Sequence, residues 1–298
     1  MGCFFCIDDY ANARTIMPDS SNSGVHLMDV TSLQSLGYVP VGYPPTVRKQ
    51  VLTAMGSWKN FCELSVNEKR MFSGGNRMED KGYMFRNEIG PRADHKELFH
   101  VSRRELSEFQ RRAALSGNGN APLFIDAVDT LINGIDPLIR TFAQQVEKTY
   151  GLRGFADDVM NSKDNWIFRY LHYFGGDTLA HPHADRGGFT LHLFESDEGG
   201  ECLDFNHHWR AWPVNGERTI IFPGMGLQYR SESVLKALWH RVQPNEQTVY
   251  QGRYAMVAFI DFKRGYRYND ARMRVQDFEP GFNYGLRHEE FKELFVPQ

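Results

Sequence analysis

The chain has 298 residues and only four cysteines, Cys3, Cys6, Cys62 and Cys202. Scattered so thinly, they exclude a disulfide framework and read as reduced thiols of a cytoplasmic protein. Cys3-Phe4-Phe5-Cys6 has the C-x-x-C form. No second pair accompanies it, which argues against zinc, and the strand-to-helix context of a redox pair is missing. Long apolar runs are also lacking: none approaches the ~20 residues that would cross a bilayer. Asp8 and Asp9 cut short the apolar stretch after Met1, so no secretory signal is expected. Met1-Gly2 carries Cys6 where a myristoylation signal needs Ser or Thr. A net charge of −3 gives no basic footprint for nucleic acid. No internal repeat is visible. These absences leave neither nucleic acid nor membrane as an expected partner, and a monomer is expected.

What is present is a hydrophobic content of 41% with 13% aromatics, enough for a substantial core. Residues 1–23 are polar and rich in turn formers, and read as an N-terminal arm. From Thr46 to Cys62 the residues Val47, Val51, Leu52, Met55, Trp58 and Phe61 make the apolar stripe of a helix. Ser65-Val66-Asn67-Glu68 is a capping box. Residues 73–98, rich in Gly, Asn and charge, are expected to be a loop at the mouth of a site. Pro122 to Tyr150 repeats apolar residues at helical spacing, with Gly134 and Pro137 able to bend or split it. From Trp166 the pattern changes to strands, expected at 166–174, 189–195, 201–205, 218–222, 237–243 and 253–263. Asn206-His207-His208 reads as a solvated hairpin tip. His288 to Phe295 reads as a short helix. The organisation expected is an arm followed by one domain, 24–298: a helical and mixed part (24–160), a β core (161–284) and a C-terminal helix (285–298).

The chemistry is concentrated in His183-Ala184-Asp185 and in His240, 57 residues after His183. Two imidazoles and a carboxylate hold Fe(II) on one face and leave the other positions open for O2 and a co-substrate. On a strand, residues two apart share a face, so His183 and Asp185 reach one metal together. His240, in the strand-like Leu238-Trp239-His240-Arg241-Val242, would complete the set from the opposite side of a barrel or jelly roll. These ligands also suit Mn, Co or Zn. His181 shares the parity of His183 and Asp185 and could face the same cavity.

These residues carry a family resemblance. His183-Ala184-Asp185-Arg186-Gly187-Gly188-Phe189-Thr190-Leu191 resembles the H-x-D-x-G-x-[aliphatic]-T-L segment of 2-oxoglutarate/Fe(II)-dependent dioxygenases, most closely the isopenicillin N synthase-like branch. Leu238 to Val242 is similar to that branch's L-x-H-R-V. Arg253-Tyr254-Ala255 resembles its R-x-S motif, and Phe168 to Phe174 its L-R-x-N-Y-Y-P strand. Upstream, Gly24 to Val30, Gly37 to Val41, Phe61 to Lys69 and Gly82-Tyr83 resemble the family's opening segments in the same order.

The resemblance implies a mainly β fold with flanking helices (α+β) around a double-stranded β-helix, the jelly-roll or cupin-like core. It implies Fe(II) on His183, Asp185 and His240. It implies 2-oxoglutarate as co-substrate, gripped by Arg253 and Tyr173, and O2 as oxidant. A guanidinium suits that role because it offers a bidentate fork to a carboxylate and stays charged in an apolar pocket. The implied activity is hydroxylation, desaturation or cyclisation of a small molecule, with release of succinate and CO2. Asp185 argues against a halogenase, which vacates that position. Arg86, with Arg92, is a candidate for gripping an anionic substrate, Leu203 and Phe205 for lining the pocket, and His181 for a supporting role behind the ligands.

One departure is chemical. Ala255 stands where the family has Ser, so a hydroxyl partner of the co-substrate carboxylate is missing. A hydrogen bond to a charged group contributes about 1.5–3 kcal/mol. The spacing of 13 residues from His240 to Arg253 is also longer than usual. Two alternatives therefore stand beside the implied activity: an Fe(II)/O2 oxidase of the same fold that uses no 2-oxoglutarate, and a catalytically silent binding protein.

Overall fold

Strand parity organises the molecule. A computed structural model describes residues 28–75, 81–87, 95–176, 180–263 and 265–298. The expectations for the arm 1–23, for the pair Cys3 and Cys6, and for Arg92 lie outside these residues. Among them are thirteen strands: β1 (Val39–Gly42), β2 (Gly82–Asn87), β3 (His95–Val101), β4 (Ile167–Tyr173), β5 (Ala180–His183), β6 (Phe189–Glu195), β7 (Gly200–Leu203), β8 (Trp209–Ala211), β9 (Arg218–Pro223), β10 (His240–Val242), β11 (Arg253–Ile260), β12 (Tyr266–Tyr268) and β13 (Phe295–Pro297). They form a seven-stranded sheet in the order β1-β9-β6-β11-β4-β3-β2 and a four-stranded sheet in the order β5-β10-β7-β8, with β12 and β13 paired apart. Each recorded pairing is antiparallel. Two antiparallel sheets with flanking helices are the expected α+β jelly-roll arrangement.

Alternation assigns each face of the large sheet. On β4, Phe168 and Tyr170 enter the main core, whereas Arg169, Leu171 and Tyr173 line a cavity on the other face. On β11, Met256, Ala258 and Ile260 enter the core, and Arg253, Ala255, Val257 and Phe259 line the cavity. Helices cover the core face. Pro45–Cys62 starts with Pro in its first turn, where a missing N–H costs nothing. It buries Val47, Val51, Ala54, Met55, Trp58 and Phe61, while Leu52 faces solvent, contrary to the expected stripe. Trp58 anchors this helix: its ring packs on Phe61 and Phe124, and its indole N–H donates to the Leu171 carbonyl at 3.2 Å.

The expected long helix is two, Asn120–Gly134 and Asp136–Tyr150, broken at Ile135. Gly134 has a packing reason. A Cβ there would lie 1.9 Å from the Gln50 side chain, so its absence lets Asn120–Gly134 approach the helix Pro45–Cys62 closely. The Ser65 capping box forms as read. The C-terminal helix is shorter than expected, His288–Lys292, and Phe295 begins β13.

Part of the expected loop 73–98 is the edge of the large sheet, strands β2 and β3. Charge disguised this in the sequence. Glu97 is buried on β3, where its carboxylate accepts hydrogen bonds from Lys69 Nζ at 2.8 Å and Tyr83 Oη at 2.8 Å. His172 Nδ1 lies 2.9 Å from the same carboxylate, and the His172 ring stacks on Tyr254. Burial pushes the Glu97 carboxyl up, but its hydrogen bonds outweigh this and hold it at about 2 against an ordinary 4.5. A depressed pKa stabilises the fold above the unfolded value, and the contribution fades as pH falls. We expect Glu97→Gln to destabilise the protein by about 3 kcal/mol at neutral pH. Urea unfolding across a pH series should show this gap closing between about 4.5 and about 2. A pH-independent gap would mean that the charge of Glu97 contributes nothing.

Candidate functional site

β5 and β10 are antiparallel neighbours, and their register sets His183 opposite His240. The two ring centroids are 4.2 Å apart. The third residue, Asp185, lies just beyond the end of β5. One potential ligand atom from each of the three falls within 4.8 Å of the others. The two histidines therefore come from adjacent strands of the small sheet, not from opposite sides of the barrel as the sequence suggested.

Local hydrogen bonding orients each group. His183 Nδ1 lies 2.7 Å from the His181 carbonyl, and His240 Nδ1 3.2 Å from the Leu238 carbonyl. A carbonyl only accepts, so both rings carry the proton on Nδ1 and turn the Nε2 lone pair outward. Asp185 Oδ2 accepts from Thr190 Oγ1 at 2.5 Å, leaving Oδ1 3.7 Å from His183 Nε2. The turn that follows is clamped by Gly224. Its Cβ, were there one, would fall 2.5 Å from the Gly187 carbonyl and 2.8 Å from that of Asp185. The Met225 amide donates to the Asp185 carbonyl at 2.7 Å. The segment Pro223 to Met225 thus positions the carboxylate.

Electrostatics favours a bound cation. Burial raises the Asp185 carboxyl, but His240 and His183 more than offset it and hold it below the usual range. Burial, with His183 beside it, lowers His240 to about 4. At neutral pH the cluster is a carboxylate and a neutral buried imidazole beside His183, which is the charge state that ligates a divalent metal.

Beyond the cluster lies a cavity of about 70 Å³. Arg253 and Tyr173, paired across β11 and β4, both line it. The Arg253 side chain is fully buried. Its Nη2 lies 2.7 Å from Glu195 Oε1, yet none of its three nitrogens has an aligned hydrogen-bond acceptor. The contact is an ion pair whose N–H bonds point elsewhere. An arginine with unsatisfied N–H groups fits a carboxylate ligand. Ala255, also on this wall, presents a methyl group where a serine would present a hydroxyl.

The remaining candidates fall away from the cavity. Arg86 lies on the edge strand β2, and neither it nor Phe205 nor Leu203 lines the cavity. Leu203 is buried in a second core with Trp239 and Phe291, and Phe205 packs on Tyr284. His181 is exposed, and what it offers His183 is its backbone carbonyl. His207 has φ of 63° in the β7–β8 turn, the hairpin tip expected. The sequence reading passed over Arg169, Glu195 and Trp212, and could not place His192; all four line the cavity. Parity would have flagged Arg169, two residues from Leu171 and four from Tyr173. Glu195 gave no such signal, because a bulge carries it there. Ligand atoms of Cys62, Glu97 and His172 also cluster within 4.8 Å, but the Lys69 ammonium, 2.8 Å from Glu97, already supplies the positive charge.

Residues 164–262 match the family model described as the 2OG-Fe(II) oxygenase superfamily. No curated protein is significantly similar to the chain in sequence. Solved structures are. A 2OG-Fe(II) oxygenase family protein from Caulobacter crescentus is 22% identical, with a TM-score of 0.63 over 88% of this chain and 90% of that one. A Neurospora crassa protein solved with alpha-KG and thymine is 16% identical, with a TM-score of 0.62 over 89% and 88%. The dioxygenase for auxin oxidation 1 from Arabidopsis thaliana, solved with 2-oxoglutarate, is 20% identical, with a TM-score of 0.62 over 78% and 86%. At these identities the likeness establishes the shared fold. The matched segment, a third of the chain, contains all three clustered side chains as well as Arg253 and Tyr173.

Proposed function

We propose that this chain is an Fe(II)- and 2-oxoglutarate-dependent oxygenase of a small-molecule substrate. One observation carries the reading: the converging ligand atoms of His183, Asp185 and His240 open onto the same cavity as the unsatisfied guanidinium of Arg253. In this reading the three side chains hold the metal on one face. Arg253 and Tyr173 hold the distal carboxylate of 2-oxoglutarate at the other end. The metal and the oxo acid together supply the oxidising chemistry, and the oxo acid leaves as succinate and CO2. The chain's own residues orient both partners, and the buried walls keep bulk water away from them.

A second reading has its own support. Ala255 removes one partner of the carboxylate, and Glu195 sits on the arginine. Both features favour an Fe(II)/O2 oxidase of the same fold that works without an oxo acid.

His183→Ala and Asp185→Ala are expected to lower Fe(II) affinity at least about a hundredfold and abolish O2 consumption, with an unchanged circular dichroism spectrum. Thr190→Val, which removes the hydrogen bond to Asp185, should cost about 10–100-fold in metal affinity. Metal binding that survives all three changes would defeat the assignment. The co-substrate is tested by adding 2-oxoglutarate to the anaerobic Fe(II) protein. A saturable visible charge-transfer band is expected, and Arg253→Gln should weaken its half-saturation by about thirtyfold, or ~2 kcal/mol. Iron binding without a band would move the assignment to the oxidase.

A further inference from the structure

The distal end of the cavity carries a charge that a carboxylate-binding pocket would be expected to exclude. Glu195 is buried there, and its Oε1 lies 2.7 Å from Arg253 Nη2 and 2.9 Å from His192 Nε2. The Trp212 indole N–H donates to its Oε2 at 3.0 Å. The groups facing it are therefore Arg253 from β11, His192 from its own strand, and Trp212 from the segment after β8.

Its position is built by the backbone. Between β11 and β6, Ala255 pairs with Glu195 and Met256 with Phe194, but Val257 pairs with His192, so Leu193 of β6 is left over as a bulge. Leu193 and Phe194 both turn to the helix-covered core, and His192 and Glu195 both turn to the cavity. In a regular strand these two residues, three apart, would face opposite ways. Gly200 completes the arrangement. A Cβ there would fall 1.8 Å from the Trp212 indole nitrogen, so glycine is what lets the indole lie across β7 and reach Glu195.

Burial pushes the Glu195 carboxyl up, and His192 and Arg253 outweigh it, so the group is ionised. The Arg253 guanidinium and the Glu195 carboxylate then lie side by side, both side chains buried. A second carboxylate arriving at Arg253 meets the Glu195 carboxylate at the same guanidinium, with little solvent to screen the repulsion. An oxo acid with a neutral tail meets no such opposition.

We propose that Glu195 is a specificity-determining residue for the oxo acid: it neutralises Arg253, weakens the hold on a distal carboxylate and widens the pocket's tolerance to oxo acids with uncharged tails. This rests on the assignment of the cavity as an oxo-acid site. It follows that Arg253 here does less of the selecting than a lone arginine would. Ala255 acts in the same direction, since its methyl group offers nothing to a carboxylate and is compatible with an alkyl tail.

The test is calorimetric titration of the anaerobic Mn(II)-loaded protein with 2-oxoglutarate and with 2-oxopentanoate, which lacks the distal carboxylate. The wild-type protein should bind 2-oxoglutarate no more than about tenfold tighter than 2-oxopentanoate. Glu195→Gln keeps the shape and an acceptor for Trp212 while removing the charge. It should tighten 2-oxoglutarate about tenfold or more and change 2-oxopentanoate less than about twofold. Glu195→Asp, which keeps the charge, should not reproduce that shift. A wild-type preference for 2-oxoglutarate of about a thousandfold would overturn the proposal without any variant. So would a Gln variant in which both acids weaken together, the behaviour of a residue that merely props Arg253. If the wild-type protein retains Mn(II) but binds neither acid, the oxo-acid reading itself fails and takes this inference with it.

Discussion

The pairing of β6 with β11 is the constraint on which the site depends. Before its bulge, β6 presents Thr190 to Asp185; past the bulge it presents Glu195 to Arg253. The same strand therefore supports both ends of the cavity, and the extra residue between them changes which side chains face inward. A regular ladder would send Glu195 into the apolar core, where a carboxylate without partners is costly. The bulge instead spends two apolar side chains, Leu193 and Phe194, on the core side and delivers two polar ones to the cavity.

The rest of the architecture holds that face in place. Trp58 and the aromatic side chains around it lock the helices onto the outer surface of the large sheet. At the sheet's edge Lys69, Tyr83 and His172 converge on Glu97, so that buried charge is compensated on every side. The small sheet contributes Leu203, Cys202 and Val242 to the smaller cores. Its role is to set His183 against His240, with Phe222 packed 5.0 Å below the His240 ring. A rigid large sheet and a short-stranded small one are thus joined by the residues between them.

The charge pattern across the cavity follows from these placements. At one end a carboxylate lies beside two imidazoles, one of them held neutral by burial. At the other a guanidinium and a carboxylate nearly cancel. The cavity thus has a cluster of ligand atoms at one end and a buried ion pair at the other, a combination set by which strands meet.

Much of this was legible in the chain. His183, Asp185 and His240 declared themselves by ligand chemistry and spacing, and strand periodicity located β4, β6, β9 and β11 to within a few residues. Helical spacing found Pro45–Cys62 and the pair that follows Gly119, because burying one face requires that repeat whatever the partner. Other features were settled only by tertiary contacts. The strands β2 and β3 look like charged loop, since the partners that compensate Glu97 come from three distant segments. The cavity's polar wall depends on a bulge, and a bulge leaves no mark in local composition. Leu203 and Phe205 matched by position but pack elsewhere, and Arg86, expected in a loop, lies on the edge strand β2. The chain by itself determined which groups can ligate and which faces must be buried, because those are properties of side chains and their period. Tertiary structure decided which of those groups meet, because register and bulges are resolved only when strands far apart in sequence pair.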